Sequence, residues 1–160
     1  MAIQAGDKMP SGTLGVMTDS GPGAVSTDEL FSGKKVVLVS VPGAFTPTCS
    51  MNHLPGFVDH ADEIFAKGVD TIACMAVNDV FVMDAWGKDR GVGEKVMMLA
   101  DGNGEYAQAL GLEFDGTGFG MGVRGQRFAL VVDDGVATHV AVEAPGAFEV
   151  SKAEAILGQL

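Results

Sequence analysis

The sequence predicts a single α/β domain in which a mixed central sheet carries helices on both faces. Three observations predict it. Short apolar runs, Lys35 to Val41 and Val69 to Val77, read as strands buried on both sides. Segments with apolar residues three and four apart alternate with these runs, as in a parallel βαβ core. Nearer the C-terminus, Phe128 to Asp133 and Val136 to Val142 flank Asp134-Gly135, a two-residue turn that pairs its strands antiparallel.

The elements follow in order. Gly12 to Gly23, rich in Gly, Ser and Asp around Leu14, Val16 and Met17, predicts a short hairpin. Ser26-Thr27-Asp28-Glu29 starts a helix, with a hydroxyl or carboxylate as cap. After the Lys35–Val41 strand and a Pro47-Thr48 turn, Ser50 to Lys67 places Leu54, Phe57, Val58, Ala61, Ile64 and Phe65 on one helical face. Pro55 should kink that helix or mark a second start. The strand Val69–Val77 comes next, then a helix over Val80–Lys88 and a short strand over Val96–Ala100. The Asp101–Gly104 loop leads to a short helix at Tyr106–Leu110. The hairpin follows, and a helix over Ser151–Leu160 ends the chain, with Ser151 as cap and Glu154 three residues on. This order, with no repeat or linker to divide it, predicts one domain over residues 1–160 with a thioredoxin-like architecture.

Composition narrows the function. A chain of 160 residues with 47% hydrophobic content can bury a core without staples. Twenty-one acidic against ten basic residues, net −11, repel phosphate backbones and anionic bilayers, so neither a nucleic acid nor a membrane is an expected partner. No run reaches the ~20 apolar residues of a spanning helix. The start, MAIQAGDKMP, shows no basic and apolar leader, so a cytoplasmic, reducing location is expected. Two cysteines and the scattered His53, His60 and His139 offer no metal-ligand spacing, and no cofactor loop is present.

The chemistry centres on VPGAFTPTCS, Val41 to Ser50. It follows a buried strand and delivers Cys49 to a helix start, where unpaired N–H groups and the helix dipole favour a thiolate. Pro42 and Pro47 stiffen the turn, and Gly43 allows close backbone approach. Thr46 can turn its hydroxyl toward the sulfur or a small polar substrate. Arg124 and Arg127, in VRGQRFALVV, stand at the entrance of a strand that should neighbour the Cys49 strand; a guanidinium there would lower the thiol pKa further. Cys74 alternates within TIACMAV as a core thiol and makes no Cys-x-x-Cys pair with Cys49. His53, four residues after Cys49, lacks an orienting Asp or Asn and reads as packing or hydrogen-bonding locally to shape the loop, not as a base. Met9, Met17, Met75, Met83, Met97, Met98 and Met121 form no stripe and read as core filler.

PGAFTPTCS with His53-Leu54-Pro55-Gly56-Phe57 resembles the active-site segment of the peroxiredoxins, specifically the peroxiredoxin-five subfamily. The likeness continues through Lys67–Cys74, Val77-Asn78-Asp79, Trp86-Gly87, Leu99-Ala100-Asp101 and Arg124–Val132, so it covers nearly the whole chain. The resemblance implies a catalytic set of Pro42, Thr46, Cys49 and Arg127, with Gly43, Thr48, His53 and Arg124 in support. It implies attack of the Cys49 thiolate on a peroxide, with Arg127, Thr46 and the N–H groups of the turn as donors, and a Cys49 sulfenic acid as product. Members with a second, resolving cysteine carry it near the C-terminus, but Glu143 to Leu160 has none. An external reductant is therefore expected, glutathione with glutaredoxin ahead of thioredoxin. A homodimer built around the active-site loops is also implied. Two alternatives stay open: a thiol-disulfide reductase on the same fold, and a redox sensor or holdase that signals through Cys49.

Overall fold

Seven strands form one sheet, and its registers explain how residues far apart in sequence meet at one end. The computed structural model describes all 160 residues, apart from the side chain of Cys49. In chain order the elements are β1 (Thr13–Thr18), β2 (Gly21–Ser26), α1 (Thr27–Phe31), β3 (Lys35–Ser40), a π-helical turn (Cys49–His53), α2 (Leu54–Asp59) and α3 (Ala61–Ala66). Then come β4 (Thr71–Ala76), α4 (Val80–Asp89), β5 (Met97–Ala100), α5 (Glu105–Ala109) and β6 (Glu113–Asp115). A 3-10 turn (Thr117–Phe119), β7 (Val123–Gly125), β8 (Phe128–Asp133), β9 (Val136–Val142) and α6 (Ala153–Leu157) complete the chain. The large sheet runs β2-β1-β5-β4-β3-β8-β9. Its centre, β3-β4-β5, is parallel, while β8 and β9 on one side and β1 and β2 on the other are antiparallel.

Strand side chains alternate between faces, so each central strand feeds two cores. Val37 and Val39 of β3 join Ile72 and Cys74 of β4 in a cluster with α2, α3, α4 and α6, through Leu54, Phe57, Ile64, Trp86 and Ile156. Val36 and Leu38 join Ala73, Met75 and Leu130 in a second cluster, closed by Leu30 and Phe31 of α1 and Tyr106 of α5. The thioredoxin-like mixed sheet with helices on both faces is therefore the observed architecture. No helix among the described residues is long and apolar enough to cross a membrane.

Local signals explain most boundaries. Ser26 accepts from the Glu29 N–H while the Glu29 carboxylate accepts from the Ser26 N–H, a complete capping box that starts α1. Asp134 (φ 48°) and Gly135 (φ 79°) both take the left-handed conformation that a tight β8–β9 turn requires.

Four expectations need correction. The Ser50–Lys67 helix is three pieces. A π turn precedes Pro55, which stands at the start of α2, and the path breaks again at His60. The terminal helix begins later than expected, with Lys152 rather than Ser151 as its cap residue. The Ser151 hydroxyl instead donates to Glu143 Oε2 at 2.6 Å, a tertiary bond that outcompetes the local one. A two-stranded sheet of β6 and β7 was not expected, because three-residue strands carry too few residues to show a period. Met75 and Met83 are buried, but Met97 is exposed, so the methionines are not uniformly core filler.

Candidate active site

The loop between β3 and the π turn is held at several points. Val41 continues β3 through its N–H to Met75 O (3.2 Å), and Ala44 donates to the Asn78 side chain (2.9 Å) on the loop before α4. Gly43 is buried, and a Cβ there would stand 3.1 Å from Arg124 Nη1 and 3.2 Å from Thr46 Cγ2. A side chain there would have to displace the Arg124 guanidinium and the Thr46 methyl group by a few tenths of an ångström. Phe45 adopts φ 65°, a strained value for a side-chain-bearing residue, and is 51% exposed. Pro42 and Thr48 are half-buried and Pro47 is exposed.

Thr46 Oγ1 donates its single hydrogen to Gly43 O at 2.8 Å. That hydroxyl therefore offers lone pairs rather than a hydrogen to other partners, which corrects its expected place among the donors. The Thr46 carbonyl accepts the Ser50 N–H (2.9 Å) and so begins the helical path through Cys49. The expected reach of Thr46 to the Cys49 sulfur falls on a side chain outside the described residues.

Behind the π turn, α4 and its C-cap residue Arg90 hold Ser50. Trp86 Nε1 donates to Ser50 Oγ (2.9 Å) and Arg90 Nη1 to Ser50 O (2.9 Å), while the Phe45 ring lies 6.4 Å from the Trp86 ring. Trp86 is fully buried, and its indole bonds the residue that follows Cys49.

Both arginines arrive from the β8 side. Residues 35–40 pair antiparallel with 128–133, with Ser40 opposite Phe128. The chain entering β8 therefore runs beside the chain leaving β3. Arg124, in β7, donates through Nε to Met121 O (2.8 Å) and through Nη1 to Pro42 O (3.4 Å). Arg127 donates through Nη1 to His53 Nδ1 at 2.9 Å, and its guanidinium carbon stands 6.0 Å from the Phe148 ring centre. The two guanidinium groups thus engage the segment on either side of Cys49, Arg124 at Pro42 and Arg127 at His53.

His53 is fully buried, and its partners correct the expectation of a local role. Its Nε2 bonds Ser151 O at 3.0 Å, and its ring packs 5.7 Å from Phe57 and 5.1 Å, edge-on, from Phe148. Burial first, then the Arg127 cation, lowers the imidazole pKa to about 4. With Nδ1 already accepting from Arg127, His53 cannot be the base of a cysteine hydrolase, as its sequence context also argued.

Cys74 is buried in β4 opposite Val39, the core position expected of it. Among the described residues no group of three or more His, Cys, Asp or Glu side chains could hold a metal ion. A cleft of about 620 Å³ opens between β1, α4 and β5, but its facing charges, Lys88 and Asp84, bond each other at 2.9 Å. It contains none of the site residues.

Sequence reasoning passed over Ser50, Arg90, Glu143, Phe148 and Ser151. Only Glu143 carried a usable signal, as an acid placed directly after the mostly apolar run of β9.

Comparison with known proteins identifies the family of the chain and its structural relatives. Residues 4–157 match the family model described as Redoxin. The chain is 50% identical to Peroxiredoxin-2B of Arabidopsis thaliana, over 99% of this chain and 98% of that one. It superposes on the structure of reduced Prx3 in complex with H2O2 from Vibrio vulnificus with a TM-score of 0.95 and 53% identity, covering 98% of each chain. Peroxiredoxin 5 from Alvinella pompejana is similar at TM-score 0.86 and 36% identity, over 97% of this chain and 96% of that one.

Proposed function

Since the chain belongs to the peroxiredoxins of the redoxin family and is a thiol-dependent peroxidase, we propose that Cys49 is its peroxide-reactive thiol and that an external thiol returns it to the reduced state. One observation carries this reading. Two guanidinium groups, Arg124 from β7 and Arg127 at the entrance of β8, engage the chain on both sides of Cys49. Positive charge at that turn favours the thiolate and receives the charge that develops as a peroxide bond breaks.

In the proposed step the Cys49 thiolate attacks the nearer oxygen of ROOH. The S–O bond forms and the O–O bond breaks. RO⁻ leaves and takes up a proton, giving ROH and a Cys49 sulfenic acid after proton balance. Thr46 Oγ1, its hydrogen committed to Gly43 O, accepts from the peroxide O–H. Arg127 and the N–H groups of the turn donate to the oxygens. Pro42 and Gly43 set the turn, and Thr48 and Arg124 support it. A thiol R′SH then displaces water to form a mixed disulfide, and a second thiol releases Cys49 and a disulfide.

With no cysteine in residues 143–160, we assign reduction to glutathione with glutaredoxin, thioredoxin being the alternative donor. A reducing, cytoplasmic setting suits that cycle. We also place the chain in the peroxiredoxin-five subfamily, on the PGAFTPTCS string and the likeness to peroxiredoxin 5.

Rapid mixing with hydrogen peroxide tests the reading through Trp86, whose indole bonds Ser50 beside Cys49. Oxidation should run orders of magnitude faster than that of an unactivated thiol, and mass spectrometry should place one added oxygen on Cys49. A rate like that of an ordinary cysteine would remove the peroxidase assignment and favour a sensor or disulfide reductase.

The homodimer is a further part of this reading. Phe45, Phe81 and Phe119 are exposed at 51%, 65% and 76%, apolar side chains that association would cover. Sedimentation at micromolar concentration should show a dimer that Phe119→Glu weakens. A wild-type monomer would remove it.

A further inference from the structure

We propose that Glu143, a residue outside the peroxide site, is a positioning residue for Arg127: its carboxylate folds residues 143–151 so that the Ser151 carbonyl fixes the His53 imidazole in the one tautomer able to accept from the Arg127 guanidinium. The proposal rests on the peroxidase reading for its link to rate, but not for its geometry.

Hydrogen-bond chemistry assigns the tautomer without a choice. A guanidinium has only donors, so His53 Nδ1 must present a lone pair to Arg127 Nη1 at 2.9 Å. A carbonyl has only acceptor capacity, so His53 Nε2 must carry the hydrogen toward Ser151 O at 3.0 Å. If the Ser151 carbonyl moves away, nothing in this pair of bonds keeps the proton on Nε2. The other tautomer would then turn an N–H toward Arg127 and break the contact.

Glu143 determines where that carbonyl lies. The residue is buried at 7% exposure, directly after β9. One oxygen, Oε2, accepts three hydrogen bonds: Glu149 N–H at 2.8 Å, Ser151 N–H at 2.8 Å and Ser151 Oγ–H at 2.6 Å. The loop so gathered also presents Phe148, whose ring touches both His53 and Arg127. At its other end, Glu143 N–H donates to Arg127 O at 3.0 Å. The same residue therefore joins the Arg127 backbone directly and the Arg127 side chain through Ser151 and His53. Removing the carboxylate leaves two backbone N–H groups and a hydroxyl to find new partners, and the loop must rearrange to supply them.

The test compares the wild-type chain with Glu143→Ala and Glu143→Gln by two measurements. Two-bond ¹H–¹⁵N correlation spectra at pH 7 read the His53 tautomer, and single-turnover oxidation by hydrogen peroxide reads the rate. The wild type should show the Nε2–H tautomer. Glu143→Ala should show mixed tautomers and about ten-fold slower oxidation, since a misplacement of the order of 1 Å carries penalties of that size or more. Glu143→Gln, which keeps an oxygen at the same place, should recover the tautomer and most of the rate. Should Glu143→Ala not fold, Glu143→Asp, which retracts the carboxylate by one methylene, should show the same tautomer mixing with a smaller loss of rate. An Nδ1–H tautomer in the wild type overturns the proposal, as does a Glu143→Ala protein with unchanged tautomer. Equal rate loss in the Ala and Gln variants also overturns it, by showing that the retained oxygen is not what matters. A wild type inert to peroxide would instead remove the peroxidase reading, with the tautomer result still deciding the geometry.

Discussion

Cys49→Ser should reduce peroxide turnover by at least about 10³-fold, since the proposed mechanism makes the Cys49 thiolate the nucleophile and a serine hydroxyl stays protonated at neutral pH. None of the surrounding devices compensates. In the proposed mechanism the arginines at Pro42 and His53 stabilise a thiolate and the developing charge on oxygen, and with no thiolate they have nothing to act on. Cys74→Ala should keep turnover within about two-fold and cost about 1 kcal/mol of stability, because Cys74 fills a core position in β4 beside β3 and the proposed one-cysteine cycle assigns it no step. The measurement is hydrogen peroxide consumption with glutathione and glutaredoxin supplied in excess. Residual activity of Cys49→Ser above about 1% of wild type would dismiss Cys49 as the nucleophile. Loss of turnover in Cys74→Ala would replace the one-cysteine cycle with a Cys49–Cys74 disulfide cycle.

Acid should destabilise the protein through His53 by roughly 3 kcal/mol. The folded pKa of about 4 lies below the ordinary 6.5, so between those values the unfolded chain binds the extra proton and the folded chain does not. Stability from this group is thus complete above about pH 6.5 and lost as the pH falls toward 4. The cause is physical: a charged imidazole would be buried without water and held 2.9 Å from a guanidinium. His60 acts in the opposite sense, since its bonds to Glu63 and Glu154 raise its pKa and favour the folded state below neutrality. Those pairs are partly exposed and amount to about 1 kcal/mol or less. Urea unfolding of wild type and His53→Asn across pH 4.5 to 7.5 isolates the effect, because other groups cancel in the difference. The wild-type curve should fall more steeply on acidification, and parallel curves would refute the assignment.

Much of the fold was legible because it is local. The β8–β9 turn needed two residues that tolerate positive φ, and Asp134-Gly135 says so directly. The helix start at Ser26 to Glu29 was legible for the same reason, although the sequence left its cap open between a hydroxyl and a carboxylate and the structure shows the full Ser26–Glu29 capping box. Ser151 and Glu154 carry the same signal, and there the reading failed. A buried carboxylate 8 residues back claims the Ser151 hydroxyl, and no spacing rule registers that competition. His53 shows the limit in the site itself. Its place four residues after Cys49 suggested a local role, yet its partners are Arg127 and Ser151, 74 and 98 residues away.

By itself, then, the sequence determined the strand-turn-helix that carries Cys49, the alternation that makes the sheet two-faced, and the lack of a cysteine in residues 143–160 to resolve an oxidised thiol. These follow from residue type and short-range spacing, which backbone sterics and side-chain periodicity convert into structure. Only the tertiary structure decided that Thr46 offers lone pairs rather than a hydrogen, that each arginine engages a different end of the turn, and that His53 is held neutral between a carbonyl and a guanidinium. Those are outcomes of which donor meets which acceptor once β8 lies against β3, and burial then forces every such pair to be satisfied.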